Sequence, residues 1–91
     1  MFDEGKASGI DFTTFCISLG TSAFVHLGEL PHPETEKAEP NLVLAKQTID
    51  ILGMLQAKTR GNLTPEEEKV LEHLLLDLRL RYVQRSSAGP S

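Results

Sequence analysis

The sequence predicts an all-α domain of three helices, in which the second and third helices form an antiparallel hairpin. In three segments the apolar residues recur with the 3.6-residue period of a helix. Residues that cap helices precede these segments, and a proline-rich stretch at 31–40 separates the first segment from the second. The chain has 91 residues, enough for one domain, and its hydrophobic fraction of 40 % can supply a core.

The first helix is expected over residues 11–29. Asp11 can cap it, and Ile10 and Phe15 occupy the two positions of a hydrophobic staple. Gly20 lies inside this helix, where glycine costs about 1 kcal/mol relative to alanine. Either a close helix crossing or simple tolerance of glycine explains it. Its main apolar stripe consists of Phe12, Phe15, Cys16, Leu19, Ala23 and Leu27.

The second helix is expected over residues 42–59 and the third over residues 65–85. Asn41 is a good cap for the second, and Gly61 can supply the left-handed residue after its end. The run Thr64-Pro65-Glu66-Glu67 is a capping box with proline at the first helical position. The short connection between these helices leaves room only for a tight turn, which predicts the antiparallel hairpin.

The ordered domain is expected over residues 10–85. Residues 1–9 are mostly polar with two glycines, and residues 86–91 are small and polar, which is typical of disordered tails. The loop after the first helix is long enough to place that helix on either side of the hairpin. The sequence therefore leaves the position of the first helix open.

The composition excludes several classes of function. The net charge of −4 disfavours a nucleic-acid binder, which needs a basic face. The single cysteine, Cys16, precludes an intrachain disulfide, and the beginning of the sequence lacks the pattern of a signal peptide, so a cytoplasmic location is expected. The longest uncharged stretch, residues 12–28, is too short and polar for a membrane span.

We expect no enzyme activity, no cofactor and no metal. Cys16 lies among apolar neighbours, whereas a nucleophilic cysteine needs a base and an electropositive setting. The three histidines are scattered, and the glutamates at 66–68 are explained by helix capping. The basic residues near the helix ends are interpreted as solvated: Lys58, Arg60, Arg79, Arg81 and Arg85.

Two helices carry a second apolar ridge in addition to the main stripe. These candidate surface residues are Ile17 and Phe24 in the first helix, and Leu76, Leu80 and Val83 in the third. A three-helix monomer needs one apolar face per helix, so second ridges favour self-association, with a two-fold dimer as the simplest closed form that would complete the fold. The leading hypothesis is a non-enzymatic interaction module that self-associates and presents a helical surface to another bacterial protein.

Two alternatives stay open. The first helix can instead lie deep in a monomeric core, with the remaining leucines scattered over the surface. The protein can also be a binder of small molecules or lipids, with a pocket lined by the phenylalanine-rich face of the first helix.

The chain also resembles the small bacterial family called domain of unknown function 1844. The residues that carry the resemblance are Phe12–Phe15, Ser18–Leu19, Ser22–Ala23 and Leu27–Gly28, then Asn41–Leu42, Ala45–Lys46, Ile49–Asp50 and Leu52, and finally Lys58–Glu67, Leu78–Arg79 and Tyr82. The resemblance implies a short helical cytoplasmic bacterial protein. It implies no activity, so no catalytic or binding residue is carried over.

Overall fold

The computed structural model describes residues 10–37 and 39–87. These residues form three helices and no strand: α1 over Phe12–Leu27, α2 over Leu42–Lys58 and α3 over Pro65–Ser87. The predicted all-α class and the three predicted helices are confirmed.

The predicted caps begin the helices. The Asp11 carboxylate accepts a hydrogen bond from the Thr14 N–H at 2.7 Å, and this bond holds the pKa of Asp11 below its ordinary value. At the start of α2, the side-chain amide oxygen of Asn41 accepts a hydrogen bond from the Leu44 N–H at 3.1 Å. These local bonds satisfy N–H groups that have no partner within the helix.

The capping box at the start of α3 has both of its hydrogen bonds. The Glu67 N–H donates to Thr64 Oγ1 at 3.1 Å, and the Thr64 N–H donates to Glu67 Oε1 at 2.9 Å. The predicted start of α3 is therefore confirmed at atomic detail.

Helix α1 ends at Leu27, two residues before the predicted boundary, because Gly28 is left-handed with a φ of 84°. The Gly28 N–H donates to Val25 O at 3.0 Å and the Glu29 N–H donates to Phe24 O at 2.9 Å. This pair of bonds is a Schellman motif, which terminates the helix.

The turn between α2 and α3 has a positive φ of 86° at Gly61, as predicted. Gly61 lies two residues after the capping residue Thr59 instead of directly after the helix, in a turn closed by the Asn62 N–H and Thr59 O at 2.9 Å. At the other end of the chain, α3 continues to Ser87, so residues 86 and 87 are helical and not part of a tail. The predicted tail residues 1–9 and 88–91 lie outside the described residues.

Helix α1 packs against both helices of the hairpin and runs parallel to α3. A Cβ atom built on Gly20 would lie 2.7 Å from Leu74 Cδ1, and further along both helices the Arg81 guanidinium lies 5.4 Å from the centre of the Phe24 ring. From the first contact to the second, the residue numbers rise in both helices, which shows that the two helices run in the same direction. The close approach at Gly20 favours a helix crossing as the explanation of this glycine.

The core lies between the three helices. Its buried residues are Cys16, Ala23 and Leu27 in α1, Ala45, Ile49 and Leu52 in α2, and Leu71, Leu75 and Leu78 in α3. Within residues 10–37 and 39–87, every buried side-chain nitrogen or oxygen has a hydrogen-bond partner. The core of the monomer is thus filled by one apolar face of each helix.

The predicted main stripe of α1 is wrong at one position. Phe15 is 48 % exposed, because it lies on the flank of the buried row formed by Cys16, Ala23 and Leu27. Val25 is buried instead. It borders a shallow depression shared with residues 32–34, where the loop after α1 passes close to the outer side of the helix.

Candidate interaction surface

The outer side of α3 carries three exposed aliphatic residues, Leu76, Leu80 and Val83, which we call the α3 ridge. Their side chains are 67 %, 56 % and 55 % exposed, respectively. On the opposite side of the same helix, the core leucines are buried. Helix α3 therefore has two apolar faces, and within the described chain only one of them is covered.

The two predicted residues of α1 do not form a comparable ridge. Ile17 is 50 % exposed, but Phe24 is half-buried, packs against the core and lies beneath the guanidinium of Arg81. Arg81 faces α1, whereas Leu76 and Val83 border depressions shared with α2. The structure thus brings the three α3 residues together and places Ile17 and Phe24 on another side of the molecule.

Of the depressions in the groove between α2 and α3, two are lined by residues of the α3 ridge. One, of about 440 Å³, is lined by Gln56, Glu72, His73, Leu75, Leu76 and Arg79. The other, of about 320 Å³, is lined by Lys46, Ile49, Asp50, Arg79, Tyr82 and Val83.

Arg79 borders both depressions and separates them. Its Nη2 atom lies 3.0 Å from where a Cβ atom on Gly53 would be, so the missing side chain leaves room for the guanidinium to lie across α2. Gly53 and Arg79 are distant in sequence, and no local signal reports this contact.

Charged residues on this groove differ in whether they have partners. Lys46 and Asp50 form an i,i+4 ion pair at 2.9 Å, with both side chains well exposed. Glu72 and Arg79 are also exposed, but neither forms an ion pair within the described residues. Exposed pairs such as Lys46–Asp50 contribute little to stability, so the unpaired charges matter chiefly as complements for a partner.

An arginine network joins the ends of α1 and α3. Arg81 Nε lies 2.8 Å from Asp77 Oδ1, an ion pair at i,i+4 spacing on the same helix, and Arg81 Nη1 lies 3.0 Å from Glu29 Oε1. Arg85 Nε binds Glu29 Oε2 at 3.0 Å, and its Nη2 donates to Gly28 O at 3.4 Å. The hydrogen bond to Asp77, followed by the influence of Glu29, raises the pKa of Arg81.

The side chains of Arg81 and Arg85 are 39 % and 41 % exposed, so they are solvated as predicted, but both also form ion pairs that the prediction did not include. The parallel course of α1 and α3 brings the two carboxyl ends together, where the partial negative charges of the helix dipoles attract cations. The arginines therefore connect the end of α1 to α3 through Glu29 and Gly28.

Cys16, which sequence reasoning considered as a nucleophile, lies in the core between the three helices. Cys16 is buried, and burial together with the negative charge of Glu67 raises the pKa of its thiol. Among residues 10–37 and 39–87, no group of three or more His, Cys, Asp or Glu is placed to hold a metal ion.

A depression beside α1, of about 280 Å³, is open to solvent. It is lined by Thr21, Ser22, Val25, His26, His32, Pro33 and Glu34. None of these is a phenylalanine, so this depression does not support the alternative of a phenylalanine-lined pocket.

The fold and the surface together define an all-α three-helix domain in which the α3 ridge is exposed. The chain belongs to the family described as Domain of unknown function (DUF1844), whose family model matches residues 9–84. Comparisons with curated proteins and with solved structures found no match. Within the described part of the chain, no helix is long and apolar enough to cross a membrane.

Proposed function

We propose that this protein is a non-enzymatic helical interaction module that binds a second copy of itself through the α3 ridge. The observation that carries this proposal is the exposure of Leu76, Leu80 and Val83, each more than half accessible to water. Full burial of such a side chain contributes about 1.5–3 kcal/mol, so covering three partly exposed ones together favours association.

The residues of the α3 ridge are not part of the core of the monomer. Leu71, Leu75 and Leu78 already supply the inward face of α3 and are buried against the other two helices. A contiguous apolar surface that the monomer does not use is typical of an interface. A two-fold pair is the simplest closed assembly, because each copy offers the same surface to the other.

Sedimentation equilibrium of wild type and Leu80→Asp tests the proposal. We expect the wild type to sediment at twice the chain mass of 10.0 kDa. Leu80→Asp should sediment as a folded monomer, because it places an unpaired charge in the interface. Val43→Asp is the matched control, since Val43 is 68 % exposed on α2 and is not part of the α3 ridge, and this variant should keep the wild-type mass.

A wild type that remains monomeric at tens of micromolar would refute self-association, and so would a folded Leu80→Asp with the wild-type mass. Circular dichroism of each variant reports whether it is folded. Leu80→Gln provides a second test, because glutamine keeps the helix propensity while removing the apolar surface.

A further inference from the structure

Opposite charges lie on the same edge of α3, on either side of Leu76. Glu72 and Arg79 are seven residues apart, which is two helical turns or about 10 Å. Both are exposed, and neither has an ion-pair partner within the described chain. The larger depression lies between them and is lined by both, together with Leu75 and Leu76.

Two-fold symmetry relates these charges to each other. In an antiparallel pair of α3 helices whose axis passes at the level of Leu75 and Leu76, residue 72 of each copy lies opposite residue 79 of the other. This two-fold axis is perpendicular to both α3 helices and lies in the plane where they meet. The side of α3 that faces α2 in one copy therefore lies beside the corresponding side of the other copy. One symmetry operation therefore forms two ion pairs, one on each side of the axis.

The length of α3 favours the same axis. The helix runs from Pro65 to Ser87, and its midpoint is at Leu76. An antiparallel pair centred there overlaps along the whole helix. An axis at Leu80 would leave the first two turns uncovered and place Arg79 of each copy opposite residue 81 of the other, which is also an arginine. A parallel pair would place each charge against itself.

We propose that the second copy docks antiparallel on this edge of α3. Leu76 of each copy enters the depression of the other, and Glu72 of each pairs with Arg79 of the other. Leu80 then contacts the first half of the opposite α3, inside the same interface. This inference rests on the proposed self-association and specifies its orientation and register.

Charge reversal tests the register. Glu72→Arg homodimers and Arg79→Glu homodimers each bring like charges together twice, so each variant alone should dimerise roughly tenfold more weakly than wild type, or more. A one-to-one mixture should recover dimers, because the heterodimer has two attractive pairs. The double variant should recover as well. Gln47→Arg, an exposed charge change on the outer side of α2, should leave dimerisation unchanged.

Sedimentation of single variants, mixture and double variant measures these affinities. If the single variants failed to dimerise because they were unfolded, mixing them would not restore dimers. Recovery in the mixture therefore shows that the charges caused the weaker dimerisation. Single variants with wild-type affinity overturn the register, and so do weakened variants that fail to recover. If wild type dimerises in a Leu80-dependent way but the mixture does not recover, the register is rejected and self-association stands. A monomeric wild type rejects both.

Discussion

Leu78→Ala should lower the free energy of unfolding by about 2–5 kcal/mol, because it leaves a cavity in a filled core. Leu78 is completely buried between the three helices. Leu76→Ala, only two residues away, removes the same atoms from a side chain on the ridge and should cost the monomer less than about 1 kcal/mol. Urea denaturation followed by circular dichroism measures both.

These measurements need a dilute and a concentrated sample, because dimerisation adds apparent stability that depends on concentration. The loss of apparent unfolding free energy caused by Leu76→Ala should be larger in the concentrated sample, because there the wild type is dimeric and its interface is occupied. The cost of Leu78→Ala should be large in both samples. Equal losses for the two variants in the dilute sample would show that the ridge belongs to the core of the monomer.

Gly28→Ala should destabilise the protein more than Gly61→Ala, although the two glycines have nearly the same φ, 84° and 86°. The left-handed backbone costs a residue with a Cβ atom about 1–2 kcal/mol, and this is the whole expected loss at Gly61. A Cβ atom on Gly61 would have no neighbour within 4 Å, whereas one on Gly28 would lie 2.7 Å from Pro40 Cγ.

The additional loss of stability at Gly28 reports the contact between the end of α1 and Pro40, which precedes the capping residue of α2. Thermal unfolding of both variants, monitored by circular dichroism, gives the comparison. If both substitutions cost the same, Pro40 does not pack on Gly28 in solution. If neither costs anything, the two turns have other backbone conformations.

The starts of the helices could be predicted because their signals are local. Asp11, Asn41 and Thr64 each act on a backbone N–H three residues further on, so the sequence alone contains the interaction. The turn glycine Gly61 was likewise predictable, although its offset from the end of α2 was not. The end of α1 was predicted too late because the left-handed conformation at Gly28 was not anticipated.

The contacts between helices could not be predicted. The long loop after α1 permits either direction, and the pairing of Glu29 with Arg81 and Arg85 exists only because α1 runs parallel to α3. Phe24 has the periodicity of an outer ridge, yet the same parallel arrangement places Arg81 over its ring.

The α3 ridge could be predicted because it depends on one helix alone and not on contacts between helices. Helix α3 is long and regular, so its two apolar faces follow from the sequence and the helical period alone. The neighbouring charges, Glu72 and Arg79, are visible in the sequence as well. Their significance appears only when the groove beside α2 and the depression between them are known.

The accessibility of the ridge in the wild-type protein tests the central claim most directly. Methyl NMR with a soluble paramagnetic probe measures it without any substitution, at micromolar and at near-millimolar concentration. Val43 is an internal control, because its 68 % exposure matches the 67 % of Leu76. We expect the probe to reach all four methyl-bearing residues in the dilute sample, and only Val43 freely in the concentrated one. Leu76, Leu80 and Val83 that stay as accessible as Val43 at both concentrations would contradict the assignment of the α3 ridge as the self-association surface.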